Sequence, residues 1–338
     1  MKEYDFAISW SGNQEEKIIT FLKANCKEKG LSFFWVDENN VKDTIKKLES
    51  HLIKIKVLLD TEATYNKPND IYSRLCYAVK DSGGSVINDP DRAKASIDKS
   101  AMHFELLHSG ITVPYTVIVR NWEPTTFKLT FEEKNKLGKP FVIKPAQGYG
   151  QLGVIKEAQG TISEIAKARH YDTGDNFLIQ EKINPITICN KRSWFRVLNV
   201  FDTLIPCWWD DKENHYEHVS FNELYSENLF PLVKITAKIA SISRMSWFST
   251  EIAIDVKQGK RRFVAIDYVN DQCDMTTKSE ARNGLPDKIV EFAAKKMIEW
   301  SYDLIFQKVR KKKYTIFLEN SVLELKGLGV CQDLLMQK

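Results

Sequence analysis

Short apolar segments of strand character alternate with helical segments over the first 90 residues of this chain. The strand-like runs fall at 4–10, 31–37, 55–60 and 85–89. Alternation of this kind is typical of a mostly parallel sheet covered by helices. The sequence therefore predicts an N-terminal α/β domain over residues 1–90.

Parallel sheets bind their ligands beyond the carboxyl ends of the strands. The residues that this rule places at a cleft are Ser9, Trp10, Ser11, Gly12, Asp37 and Asp60. An ordinary strand-to-helix turn explains Ser11 and Gly12 as well, and simple packing explains Trp10. The placement is positional and identifies no chemistry.

From residue 141 onwards the pattern changes to strand-rich segments separated by turns. The predicted strands are 141–146, 154–158, 176–183, 193–201, 203–209, 250–255 and 262–269. With helices among them, they predict an α+β domain of two subdomains with antiparallel sheets. One helix is predicted after Pro90, ending at Gly110. We predict domains at 1–90 and 91–310, and a C-terminal appendage at 311–338 whose role the sequence does not show.

Composition excludes several classes of function. The 49 basic and 45 acidic residues leave a formal charge of only +4 on 338 residues, which argues against a nucleic-acid partner. The six cysteines form no C-x-x-C pair and are expected to be reduced. No apolar run approaches ~18 residues, so neither a signal peptide nor a membrane partner is predicted. We expect a cytoplasmic monomer or homodimer.

The segment FVIKPAQGYGQLGV combines a lysine on a strand with a run of glycines. Glycines let backbone N–H groups approach phosphate oxygens closely, and the lysine adds a point charge. The segment lacks the G-K-[ST] ending of a P-loop and the helix that follows a dinucleotide fingerprint. It predicts a phosphate-binding β-hairpin, with an ordinary turn as the alternative. The predicted contacts are Lys144, Gln147, Gly148, Tyr149 and Gly150.

A second segment, NFLIQEKI, is an apolar strand with a polar end. A strand edge can bind the adenine edge through its backbone, and a carboxylate at its end can hold ribose hydroxyls. The predicted nucleotide contacts are Gln180, Glu181, Lys182 and Ile183, with Glu181 at the ribose. A solvated charge at a strand end is the alternative.

Acidic residues interrupt two apolar strands at Glu251 and Asp267, and Asn270 and Asp271 follow the second. An unpaired carboxylate in such a strand is costly to bury, which favours a bound cation. Carboxylate and amide oxygens are the ligands that Mg²⁺ prefers. These four residues are the predicted metal site.

Two basic residues complete the candidate site. Arg196 interrupts the apolar strand SWFRVLNVF and is the predicted catalytic residue, because it can neutralise charge that develops on a phosphoryl group. A structural salt bridge is the alternative. Lys99, on the helix after VINDPDRAKASIDK, is placed to reach the phosphates, although exposed helical lysines are common.

The order of these elements resembles the ATP-grasp superfamily over about residues 85–275, with features of glutathione synthetases and ribosomal-protein-modification ligases. Residues 1–84 look like the Rossmann-like domain that precedes that fold. The resemblance implies ATP and Mg²⁺ as cofactors and a small-molecule or peptide substrate. It implies a ligase that activates an acceptor carboxylate as an acyl phosphate for attack by an amine or similar nucleophile.

The sequence departs from the superfamily pattern in two places. Most members end the metal site with Glu-x-Asn and a glycine-proline turn, whereas this chain has Asp267, Asn270 and Asp271 in DYVND. The third ligand is therefore either Asn270 or Asp271. The strand after Arg196, TLIPCWWDD, also lacks the arginine that many ligases carry there.

Two other functions fit the same sequence. A small-molecule kinase is the first, since inositol phosphate kinases share the ATP-grasp fold and phosphorylate a hydroxyl directly. A non-catalytic nucleotide-binding or signalling module is the second, because YDFAISWSGNQEE superficially resembles the start of TIR domains.

Overall fold

A computed structural model describes residues 1–13, 15–148, 150–210, 215–308, 314–318 and 321–324. The chain forms two compact units built from separate stretches. The first comprises Met1–Lys94, Trp194–Thr250 and Asn270–Lys338, and the second comprises Ala95–Ser193 and Glu251–Val269. The boundaries predicted at residues 90 and 310 do not coincide with this division and stay predictions.

The N-terminal residues form a parallel sheet, which confirms the predicted alternation. Its elements are β1 (Lys2–Ser9), α1 (Lys17–Glu28), β2 (Phe33–Val36), α2 (Val41–Glu49), β3 (Ile53–Leu59), α3 (Ile71–Asp81) and β4 (Ser85–Ile87). The strand order is β2-β1-β3-β4, and all pairs are parallel. The last four residues of β1 are buried because helices cover this sheet.

The middle of the chain forms an antiparallel sheet in the second unit. Its elements are α4 (Pro90–Ile97), α5 (Lys99–His108), β5 (Thr116–Val119), α6 (Phe131–Leu137), β6 (Phe141–Pro145), β7 (Ile155–Ala158), α7 (Ile162–Arg169), β8 (Phe177–Glu181), β9 (Thr187–Ile188) and β10 (Lys191–Arg192). The sheet order is β5-β8-β6-β7, and β9 pairs with β10. Phe141, Ile143, Phe177 and Ile179 are fully buried in its core.

The single helix predicted to end at Gly110 is wrong, because the chain forms two helices there. Asp98, between α4 and α5, has an extended backbone (φ −72°, ψ 100°). Its carboxylate accepts the backbone N–H groups of Ser100 and Ala101, which caps a new helix. The break places Lys99 at the first position of α5.

The remaining elements include the largest sheet among the residues described. They are β11 (Trp194–Val200), β12 (Thr203–Asp210), β13 (His215–His218), α8 (Phe221–Ser226), α9 (Phe230–Ser243), β14 (Trp247–Lys257), β15 (Lys260–Asn270), α10 (Asp287–Ile305), β16 (Thr315–Leu318) and β17 (Ser321–Glu324). The order is β15-β14-β11-β12-β16-β17, with β13 also on β12. Among the residues described, no helix is both long and apolar enough to cross a bilayer.

Candidate nucleotide-binding site

Strand β6 places Lys144 in the interior of the second unit, with only 8% of its surface exposed. Its Nζ donates a hydrogen bond to the carbonyl oxygen of Ile266 at 2.9 Å and lies 5.7 Å from the ring centroid of Tyr268. Burial lowers the pKa of Lys144 to about 8, opposed by the carboxylates of Asp267 and Glu251. Two of the four predicted metal ligands therefore act on this ammonium group.

Lys99 joins the same group of charges. Its Nζ donates to the carbonyl oxygen of Gly148 at 2.9 Å and lies 3.5 Å from Oδ1 of Asp267. The positive charge of Lys99 also contributes to the lowered pKa of Lys144. The second unit thus brings together two predicted phosphate-binding lysines, the glycine loop and the strands that carry Glu251 and Asp267.

The glycine loop connects β6 and β7, which pair antiparallel and confirm the predicted hairpin. Two glycines are required by close packing. A Cβ on Gly148 would lie 2.3 Å from Cγ of Pro145, and one on Gly153, where φ is +71°, would lie 2.6 Å from the ring of Tyr171. The predicted contact Tyr149 lies outside the described residues.

The side chain of Gln180 is buried and hydrogen-bonded inside the second unit. It is 2% exposed, and its Nε2 donates to the hydroxyl oxygens of Thr116 at 2.9 Å and Tyr268 at 3.1 Å. The neighbouring Lys182 forms an ion pair with Glu157. The side chain of Gln180 thus supports the strand, so binding of adenine at this position would use the backbone of β8.

Glu181, the predicted ribose contact, lies between two cations. Its carboxylate accepts from Nζ of Lys257 at 2.6 Å, from the Arg262 guanidinium at 3.3 Å and from the backbone N–H of Tyr115 at 3.3 Å. Burial would raise its pKa, but these partners hold it below its usual value. Ile183 beyond it is buried. The carboxylate is therefore ionised at neutral pH, and both of its oxygens can act only as acceptors.

The predicted metal ligands divide between the two units. Glu251 on β14 and Asp267 on β15 belong to the second, whereas Asn270 and Asp271 belong to the first. Within the described ranges, no three or more His, Cys, Asp or Glu side chains are grouped as for a metal ion. Two carboxylates remain a suitable pair of oxygen ligands for Mg²⁺, and the choice between Asn270 and Asp271 stays a prediction.

Arg196, the predicted catalytic residue, lies on β11 in the first unit. It donates to the hydroxyl oxygen of Tyr216 at 2.8 Å, and its guanidinium carbon lies 4.4 Å from the ring centroid of Trp209. Stacking on an aromatic face suits the planar guanidinium and holds it in one orientation. Its catalytic role stays a prediction.

The sequence did not indicate the hydrogen bonds made by Tyr268, the aromatic residue next to Lys144. Nδ1 of His103 lies 2.7 Å from the hydroxyl oxygen of Tyr268, which also accepts from Gln180. Burial lowers the pKa of His103 to about 4, so the ring is neutral at pH 7 and its Nδ1 can accept a hydrogen bond from the hydroxyl group of Tyr268. Tyr268 follows Asp267 directly, but nothing in its neighbourhood in the sequence distinguishes it from a packing residue.

The fold is similar to that of solved ATP-grasp proteins, which is the fold that the sequence resemblance implied. The D-alanine–D-alanine ligase of Bacillus anthracis, solved with ATP, shares 16% identity over 91% of this chain and all of that one, with a TM-score of 0.59. A RimK-domain ATP-grasp protein of Sphaerobacter thermophilus shares 15% identity over 87% and 99%, with a TM-score of 0.55.

A third solved structure, D-cycloserine synthetase DcsG, shares 10% identity over 88% of this chain and 99% of its own, with a TM-score of 0.58. No family model and no curated protein matches the sequence. Because all three identities are low, the likeness establishes the fold, and the reaction has to be argued from the residues.

Proposed function

We propose that this protein is an ATP- and Mg²⁺-dependent ligase that joins a carboxylate to an amine or similar nucleophile. The observation that carries the proposal is the meeting of Lys99, Lys144 and the glycine loop with the carboxylates of Glu251 and Asp267 in one unit. Two cations suit phosphate oxygens, and two carboxylates suit a divalent ion. The ligases among the structural neighbours support the same reading.

Each group has a distinct task in this proposal. Lys144 and Lys99 would bind phosphate oxygens, and the backbone of the glycine loop would cover them. Glu181 would bind ribose hydroxyls, and the backbone at Lys182 and Ile183 would bind the base. Glu251 and Asp267 would hold Mg²⁺. When bound, ATP and Mg²⁺ supply the phosphoryl group and the charge that activates an acceptor carboxylate.

Protein groups contact the ammonium groups of both lysines. Nζ of Lys144 donates to Ile266, and Nζ of Lys99 donates to Gly148 and pairs with Asp267. These contacts keep two cations oriented near the glycine loop, which limits the reorganisation that nucleotide binding requires. The role of the chain in catalysis would then be chiefly positioning and charge neutralisation.

The test is a screen for ADP release over amino acids, dipeptides and sugar acids with ATP and Mg²⁺. Substrate-dependent ADP release that stops in the Lys144→Met variant would support the proposal, and calorimetry would show whether that variant has lost ATP binding. Trapping with hydroxylamine then separates a ligase from a kinase, because only an activated carboxylate yields a hydroxamate. ATP binding without turnover of any compound would favour the non-catalytic alternative.

A further inference from the structure

Asp175 is a buried carboxylate that the proposed reaction does not use. It lies just before β8 and is 8% exposed. Its Oδ2 accepts the backbone N–H of Gln147 at 2.8 Å, and its Oδ1 accepts the backbone N–H of Asn176, also at 2.8 Å. Both carboxylate oxygens are therefore bonded to main-chain N–H groups, and one of these groups begins the glycine loop.

Two further main-chain bonds hold the start of that loop. The N–H of Ala146 donates to the carbonyl oxygen of Asn176 at 2.8 Å, and the N–H of Lys99 donates to the carbonyl oxygen of Ala146 at 3.0 Å. The carbonyl oxygen of Gly148 then accepts from Nζ of Lys99 at 2.9 Å. The contact made by Asp175 at Gln147 thus lies between two contacts made by Lys99.

An ionised carboxylate next to a loop that binds phosphate is unfavourable, because the two negative charges repel each other. The pKa of Asp175 is raised from 3.8 to about 6: burial is the main cause, the two N–H donors oppose it, and the carboxylates of Asp98 and Asp172 add to it. Since the pKa is higher in the folded chain, the contribution of Asp175 to stability decreases as the pH rises from about 4 to about 6. A need for stability alone does not explain an ionised Asp175 at neutral pH.

A side chain with two acceptor oxygens does explain it. A neutral amide of the same size has one acceptor oxygen and one NH₂ group. Its oxygen can accept from only one of the two N–H groups, of Gln147 or Asn176, and its NH₂ group then faces the other N–H, so that two donors oppose each other. We propose that Asp175 is a positioning residue for the glycine loop, which fixes Gln147 so that the following backbone is ready to receive phosphate. This inference rests on the proposed function, because it assumes that the loop binds ATP.

The first test needs no nucleotide. Amide hydrogen exchange over residues 146–153 should be about tenfold faster or more in Asp175→Asn, because a hydrogen bond to a charged group stabilises by at least that factor. Asp172→Asn is the matched control, since Asp172 is exposed and its carboxylate accepts the backbone N–H of Gly174 in the same segment. Exchange that is unchanged in Asp175→Asn would overturn the proposal.

The second test is ATP affinity by calorimetry at pH 7 and pH 5. Asp175→Asn should bind ATP about tenfold more weakly than the wild type at pH 7. The ratio of the two affinities should approach 1 at pH 5, because the wild-type carboxyl is then protonated, and titration of ATP itself cancels in the ratio. A ratio that stays the same at both pH values would contradict the inference.

The outcomes separate the two proposals. If the wild type binds no ATP, the proposed function fails, while the exchange experiment still decides what Asp175 does to the loop. Asp175→Ser serves as a second variant, since the serine side chain is shorter and its single hydroxyl oxygen cannot replace both carboxylate oxygens. If both variants lose their secondary structure, Asp175 is required for the fold as a whole, and the positioning role is overturned.

Discussion

ATP affinity should decrease between pH 7 and pH 9 as Lys144 loses its proton. The pKa of this group, about 8, implies that about 90% of the side chain is protonated at pH 7 and about 10% at pH 9. If only the ammonium form binds phosphate, the apparent Kd should rise about tenfold over this interval. A terminal phosphate has a last pKa of ~6, so it is already about 90% ionised at pH 7 and gains little charge up to pH 9.

Few other groups in this region titrate in the same interval. His103 is neutral throughout, because its pKa is lowered to about 4, and burial raises the pKa of Tyr268 well above its usual value. Lys144→Arg is the matched variant, because a guanidinium stays protonated at both pH values. Its ATP affinity should be lower at pH 7 but nearly constant up to pH 9.

Isothermal calorimetry at several pH values measures the ATP affinity of both proteins directly.

The lowered pKa of Lys144 also affects the stability of the fold. The fall in pKa from 10.5 to about 8 corresponds to about 3 kcal/mol, and it means that the folded chain binds fewer protons than the unfolded chain in that window. The contribution of Lys144 to stability therefore rises with pH between about 8 and 10.5.

Two results would refute the prediction that ATP binds the protonated form of Lys144. One is an ATP affinity that does not change from pH 7 to pH 9, and the other is an equal loss of affinity over this interval in Lys144→Arg.

Two further predictions concern the same unit. Asp267→Asn removes the largest opposing charge on Lys144, so the midpoint of the pH dependence of ATP binding should move below 8, which calorimetry would show; an unchanged midpoint would contradict the electrostatic effect of Asp267 on Lys144. Gly153→Ala should lower the free energy of unfolding by about 1–2 kcal/mol for backbone strain and by more for the clash with Tyr171. Gly259→Ala, where φ is +73° and nothing lies within 4 Å, should show the strain alone in denaturant titrations.

Much of the fold follows from local patterns that the sequence displays. Strands β6, β8, β14 and β15 were predicted because apolar, β-branched runs between turn residues have few other solutions. The break at Asp98 was missed because an N-cap and a mid-helix aspartate look alike until the backbone angles are known. The short elements β9, β10 and α8 were missed because two to six residues carry too little periodicity.

The candidate site was predictable only in part. Glu251 and Asp267 were singled out because a charge inside an apolar strand is costly, and Lys144 because a run of glycines follows its strand. The structure brings these residues into one unit, and their roles stay predictions. The commitment of Glu181 to Lys257 and Arg262 was not predictable, since those partners lie 76 and 81 residues away. Asp175 gave no signal either, because an aspartate in the polar segment YDTGDN is typical of an exposed turn.

The hydrogen bond from Lys144 to Ile266 spans 122 residues and therefore has a consequence for synthesis. At about 5–20 residues per second, a ribosome needs about 6–24 s to make the chain between these partners. During that interval the second unit lacks residues 251–269, and its buried lysine lacks an acceptor. Ribosome-bound chains ending before residue 251 should consequently be cleaved by protease near Lys144, and ATP should give protection only once β14 and β15 have emerged.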